Sequence, residues 1–175
     1  LEKFQERFQL DKPVVVADAG LLSNDNIVAL QEQGYGFILG ARIKNEKANI
    51  KKQLLVMNLE DGEVGKLARP DQTSLFISFS SSRARKDQSN RERGLKRLEK
   101  NLKSGKLTKS NINNRGYNKY LKLKGELKIE IDYQKFDSDA KWDGLKGYIT
   151  NTKLTGTQVI DSYNNLWKIE KAFRI

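Results

Sequence analysis

Residues 14–39 read V-V-V-A-D-A-G-L-L-S-N-D-N-I-V-A-L-Q-E-Q-G-Y-G-F-I-L, and this stretch decides the fold. Val14-Val15-Val16-Ala17 is an unbroken apolar run, as expected of a strand covered on both faces. Ser23 or Asn24 can cap a helix that runs through Gln33, with Gly34 as its stop. Residues 35–39 (Y-G-F-I-L) make the next strand. Strand, helix and strand in this order form a βαβ unit, so the two strands are expected to be parallel. Asp18 then stands at the C-terminal end of the first strand, the edge at which ligands bind in open α/β sheets. The alternative is a carboxylate that only caps the loop after it through backbone N–H groups.

Upstream, residues 1–9 read as the end of a helix with Leu1, Phe4 and Phe8 on one side, broken at Asp11-Lys12-Pro13. Downstream, residues 46–57 suit a helix, Glu60-Asp61-Gly62 a turn, and residues 73–80 (T-S-L-F-I-S-F-S) a strand. Residues 81–104 are polar and highly charged, and predict a long exposed helix. Residues 105–116 predict a mobile loop. Residues 120–124 and 127–133 alternate with period two, so they predict antiparallel strands with one wet face. Trp142-Asp143-Gly144 is a tight turn, and residues 145–150 are a further strand.

The chain closes on a second informative stretch, residues 159–175 (V-I-D-S-Y-N-N-L-W-K-I-E-K-A-F-R-I). At the helical period Val159, Ile160, Tyr163, Leu166, Trp167 and Phe173 form one apolar stripe. Glu170 falls inside that stripe. A carboxylate pressed into apolar surroundings is costly unless it is paired or binds a metal, which makes Glu170 a candidate functional residue. The plainer reading is a rim residue paired with Arg174 one turn on.

Composition narrows the chemistry. At 175 residues the chain suits one domain, with room for a subdomain. It opens on Leu1, and so reads as a piece of something longer. It has no Cys and no His, which excludes disulfides, thiolate metal sites and His-based acid/base chemistry. Any metal must take oxygen ligands, which favours Mg²⁺ or Mn²⁺. No apolar run is long enough to span a membrane. The net charge of +11 is concentrated: residues 83–128 hold 16 Lys/Arg against 4 Asp/Glu. Such a block points to a polyanion, a solvated lysine-rich surface being the alternative. Arg83, Arg85, Lys86, Arg91 and Arg93 are the expected phosphate contacts, though along one helix only about half can face a single duplex. Trp142, Trp167 and Tyr117 can stack on unpaired bases, packing in a core or rim being the commoner role for each.

Taken together, these residues resemble a family. V-V-V-A-D-A-G-L-L-S-N-D-N (14–26) and G-Y-G-F-I-L-G-A-R (34–42) look like the region around the second acidic residue of bacterial insertion-sequence transposases. R-A-R-K-D-Q-S-N-R-E-R (83–93), W-D-G-L-K-G-Y-I-T-N-T (142–152) and Y-N-N-L-W-K-I-E-K-A-F-R (163–174) continue the likeness in the family's order. These are DDE enzymes with a ribonuclease-H-like catalytic core. The family's C-terminal signature is Y-x-x-R-x-x-x-E-x-x-x-x-x-x-K. Tyr163 and Glu170 hold its Tyr and Glu places, while Leu166 stands where the family often has Arg.

The resemblance implies a partial ribonuclease-H-like α/β core in residues 1–42 and 155–175. A β-rich basic insertion over 43–154 would interrupt it, and a terminal helix carrying Glu170 would close it. It implies Asp18 and Glu170 as catalytic and metal-binding residues of a two-metal Mg²⁺ or Mn²⁺ site, with the first Asp on a strand preceding residue 1. It further implies DNA as partner, both transposon ends and target, with Tyr163 and Arg174 among its contacts. The implied reaction is DNA cleavage and strand transfer in the bacterial cytoplasm, at the nucleoid and without a membrane. An edge left by missing strands would leave a homodimer open. A nuclease of the same fold and a non-catalytic nucleic-acid-binding module are the rival readings.

Overall fold

A computed structural model describes residues 7, 12–20, 23–125 and 128–172, with the side chains of residue 24 and residues 167–172 outside that description. The helix expected over residues 1–9 therefore lies outside it except for Arg7, which is helical. The chain forms two compact units, Leu1–Phe79 with Lys146–Ile175, and Ser80–Leu145. It is an α/β protein with a mixed sheet.

The first unit is built on the βαβ element. Strand β1 (Val14–Ala17) leads through helix α1 (Asn24–Glu32) to β2 (Gly36–Ala41), and the strands run parallel with Val14 opposite Gly36 and Ala17 opposite Leu39. Ser23 caps α1, its hydroxyl accepting from the Asn26 N–H at 3.1 Å. Gly34, at φ +69°, turns the chain into β2, a conformation that costs a glycine little. Helix α2 (Ala48–Leu55) follows, then the hairpin of β3 (Val64–Ala68) and β4 (Ser74–Phe79). After the second unit the chain returns as β7 (Leu145–Thr150), antiparallel to β2, and closes on helix α5 (Gly156–Ala172). The strand order is β1-β2-β7-β4-β3.

Strands β2, β4 and β7 carry the core: Phe37, Ile38, Leu39, Leu75, Ile77, Tyr148 and Ile149 are essentially inaccessible. Helix α5 packs on β1, β2 and β3, with Val159 fully buried beside Ile38, Phe76 and Tyr148. Residue 151 fastens the sheet. The Asn151 amide accepts from the Phe37 N–H and donates to the Tyr35 carbonyl, each at 2.9 Å, so one side chain extends the ladder.

The second unit holds helix α3 (Ser81–Lys103), the hairpin of β5 (Leu121–Lys124) and β6 (Lys128–Ile131), and helix α4 (Tyr133–Ala140). Leu98, Tyr120, Leu121, Ile131 and Phe136 form its core.

Three expectations change. The insertion expected over 43–154 contracts to Ser80–Leu145, because β3, β4 and β7 pair into the large sheet. Among the described residues its β-content is one two-stranded hairpin, the rest being mainly helical. Strand β1, expected to be covered on both faces, is only partly covered among the described residues, with Val14 44% exposed and Ala17 alone of its residues buried, and it stands at the edge of the described sheet. Tyr133, expected to end a strand, begins α4, where the Asp132 carboxylate caps the helix by accepting from the Lys135 N–H at 3.0 Å.

Candidate carboxylate site and nucleic-acid interface

Asp18 leaves β1 at its C-terminal end, as the βαβ reading requires. Its side chain is exposed, and Oδ1 accepts from the Gly20 N–H at 2.7 Å. The loop-capping role set against catalysis is thus present, and it leaves Oδ2 free of that bond. Across from this loop, α5 approaches through Tyr163. A Cβ placed on Gly40 would come within 2.7 Å of the Tyr163 hydroxyl oxygen and 3.0 Å of the Ala19 backbone nitrogen. Tyr163 and the residue after Asp18 therefore flank the same glycine, and only a glycine leaves room for both.

The Tyr163 ring is partly buried against the core. It meets the Tyr148 ring edge-on at 5.0 Å, and the Lys146 ammonium sits 4.2 Å from its centroid. The residue expected as a DNA contact thus packs its ring on Tyr148, with its hydroxyl near Gly40 of β2. Glu170 follows seven residues, about two turns, along the same helix. Its side chain lies outside the described residues, as does Arg174 entirely.

Among the described residues no group of three or more carboxylates comes together that could hold a metal ion. The described oxygen donors at the strand end amount to one exposed carboxylate, too few for a hard divalent cation that demands near-octahedral coordination. By themselves these residues do not make a metal centre.

No known protein family, curated protein or solved structure matches this chain.

The second unit carries most of the net positive charge. Ser80–Leu145 contains 18 Lys/Arg against 9 Asp/Glu. Helix α3 sorts these by face. Ser80 caps it, accepting from the Arg83 N–H at 3.4 Å, and Gly105 at φ +67° ends it. At 3.6 residues per turn Arg91, Leu95, Leu98 and Leu102 share one face, and Lys86, Arg93, Arg97 and Lys100 the opposite one. The inner face packs on the unit's core through Leu95, Leu98 and Leu102.

Arg91 is accordingly corrected. Its Nη2 donates to Asp143 Oδ2 at 2.6 Å, with the two side chains 12% and 15% exposed. The guanidinium also lies 4.7 Å from the Phe136 ring centroid. The hydrogen bond to Asp143 holds the guanidinium even more firmly protonated than usual, against the opposing effect of burial. Its Nε is buried without a hydrogen-bond partner. Arg91 is thus a structural cation.

Of the other expected phosphate contacts, Arg83 is half-exposed and 3.6 Å from Asp87 one turn on. Arg85, Lys86 and Arg93 are exposed, and none has an ion-pair partner among the described residues. Trp142 is half-buried, and Trp167 lies outside the described side chains. The basic run did not single out Arg97, Lys106 and Arg115, which gather around Tyr117 in an open polar cleft. A signal was available: Arg97 continues the stripe of Lys86 and Arg93 at helical spacing.

Proposed function

We propose that this chain is part of a DNA transposase whose ribonuclease-H-like core cleaves and joins DNA by in-line attack on a phosphodiester. The observation that carries the reading is the meeting at Gly40. The loop leaving β1 with Asp18 and the helix bearing Glu170 both close on this glycine at the end of a parallel βαβ unit. Phosphoryl-transfer chemistry with a divalent cation asks for carboxylates from elements far apart in sequence, and Asp18 and Glu170, on the two elements that close on Gly40, are the pair proposed here.

Two further features support it. β1 has a free edge among the described residues, where a strand bearing a further carboxylate can pair. The chain between β4 and β7 is a basic unit suited to phosphate contacts. Asp18 and Glu170 are the proposed ligands of the Mg²⁺ or Mn²⁺ that the reaction uses, together with that further carboxylate. A nuclease of the same fold differs only in the nucleophile.

The test is cleavage of supercoiled plasmid with Mn²⁺. This chain is compared with a longer form that supplies a strand for the free edge of β1. The chain alone should be inactive. The longer form should nick DNA, and should lose that activity in Asp18→Ala and in Glu170→Ala. Cleavage that survives Asp18→Ala would show the site to be misplaced.

A further inference from the structure

The cleft on the second unit has a construction of its own. Its floor is α3 at Gly94. A Cβ at that position would overlap the Tyr117 ring, so the ring lies directly against the helix backbone. Gly116, at φ +53°, turns the chain just before Tyr117 and lays it there. The ring nevertheless stays 39% exposed, with its other side toward the cleft and solvent. A large aromatic side chain half in water, seated where any residue but glycine would displace it, is a platform rather than a core member.

Around this platform stand Arg97, Lys106 and Arg115, from the helix, from the loop after it and from the turn before Tyr117. All three are exposed, and among the described residues none has an ion-pair partner. No Asp or Glu lines the cleft. Asn101 and Asn118 add side-chain amides that make no hydrogen bond among the described residues. The cleft volume of about 490 Å³ falls within the roughly 300–1,000 Å³ of clefts that hold small ligands. That is more room than a lone phosphate uses.

An exposed ring, cations free to meet phosphates and amides able to read a base edge are the elements of single-strand recognition. A duplex keeps its bases stacked on one another and offers this ring nothing. We infer that the Tyr117 cleft binds an unpaired nucleotide of a nucleic-acid strand. The base stacks on Tyr117 while Arg97, Lys106 and Arg115 hold the flanking phosphates. This goes beyond the proposed activity and does not depend on Asp18 or Glu170.

The experiment is fluorescence anisotropy on the full chain with a labelled oligothymidylate of about 12 nucleotides and with a duplex of the same length. Tyr117→Ala should weaken single-strand binding roughly tenfold, within the range that stacking one base spans. It should leave duplex binding within about twofold, and Tyr117→Phe should restore the single-strand affinity. Because the Tyr117 ring rests on α3, a second variant is kept independent of packing: Arg97→Glu with Arg115→Glu, both exposed. It should lower single-strand affinity more than tenfold and flatten its salt dependence by about 0.7 per lost phosphate contact. Equal losses on single strand and duplex in Tyr117→Ala would overturn the inference. So would single-strand binding unchanged in the double charge reversal. Oligothymidylate binding that stays intact in Asp18→Ala would separate this site from the proposed cleavage site.

Discussion

Arg91→Ala separates a structural cation from the exposed cations of the same helix proposed to meet DNA. The substitution removes a guanidinium 2.6 Å from Asp143, in a pair whose side chains are 12% and 15% exposed. Breaking one half of a buried ion pair costs about 3–5 kcal/mol, because the remaining charge stays desolvated. The lost contact with Phe136 adds to this. Some solvent reaches both side chains, so the lower figure, about 3 kcal/mol, is expected. For a unit the size of Ser80–Leu145, at about 4–8 °C per kcal/mol, the midpoint should fall by roughly 12–24 °C. Thermal unfolding followed by tryptophan fluorescence reads this directly, since Trp142 adjoins Asp143. Asp143→Ala should be comparably damaging. The pair Arg91→Met with Asp143→Leu should lose less than either alone, because neither charge is then stranded. The salt dependence of DNA binding should not change in any of them once the protein is folded. A shift worth under about 1 kcal/mol, with the salt slope falling by about one, would refute the reasoning and return Arg91 to the phosphate-facing set.

Reversing Lys86 and Arg93 to Glu should leave the melting midpoint in place and reduce the salt slope of duplex binding by up to about 0.9 per residue; an unchanged slope would move the binding face elsewhere. Asn151→Ala should destabilise the first unit by about 2–4 kcal/mol in urea unfolding, because the Phe37 N–H and the Tyr35 carbonyl both lose their partner. Tyr120→Phe removes a hydroxyl that donates to Asp139 Oδ2 at 2.8 Å, at a cost of about 1.5 kcal/mol. The same variant should change the response to alkali. Burial, and then the bond to Asp139, push the Tyr120 phenol well above its ordinary 10.0. The folded unit therefore keeps a proton that the unfolded chain releases, so this stabilisation is complete below pH 10 and is lost as pH rises above it. Urea midpoints taken on either side of that pH should fall less steeply for Tyr120→Phe than for the parent.

The βαβ unit was legible because its signals are local: an apolar run, a Ser cap, a glycine stop and a second run. What sequence could not supply was the partner of each later strand, since pairing between β7 and β2 joins residues more than a hundred positions apart. The hydrophobic pattern nonetheless held the answer for burial. Residues 36–41, 74–79 and 145–150 are apolar without strict alternation, and they are the strands that bury most. Residues 121–124 and 128–131 alternate, and they form the separate wet hairpin. The same rule misled at Val14–Ala17, where three valines in a row stand at the edge of the described sheet and stay partly exposed.

The basic run shows the complementary limit. Counting charge identifies a strongly basic segment, but it weighs every Arg alike. Helical spacing puts Arg91 in register with Leu95, Leu98 and Leu102, and that register predicts its burial before any distance is known. Tyr117 escaped for a different reason. Nothing in a one-dimensional pattern says that a tyrosine will lie on a glycine 23 positions earlier. Yet Gly94 is an expensive residue in the interior of α3, costing about 1 kcal/mol against alanine. An exposed helix that keeps such a glycine has a neighbour that needs the space, and here the neighbour is an aromatic ring half open to water.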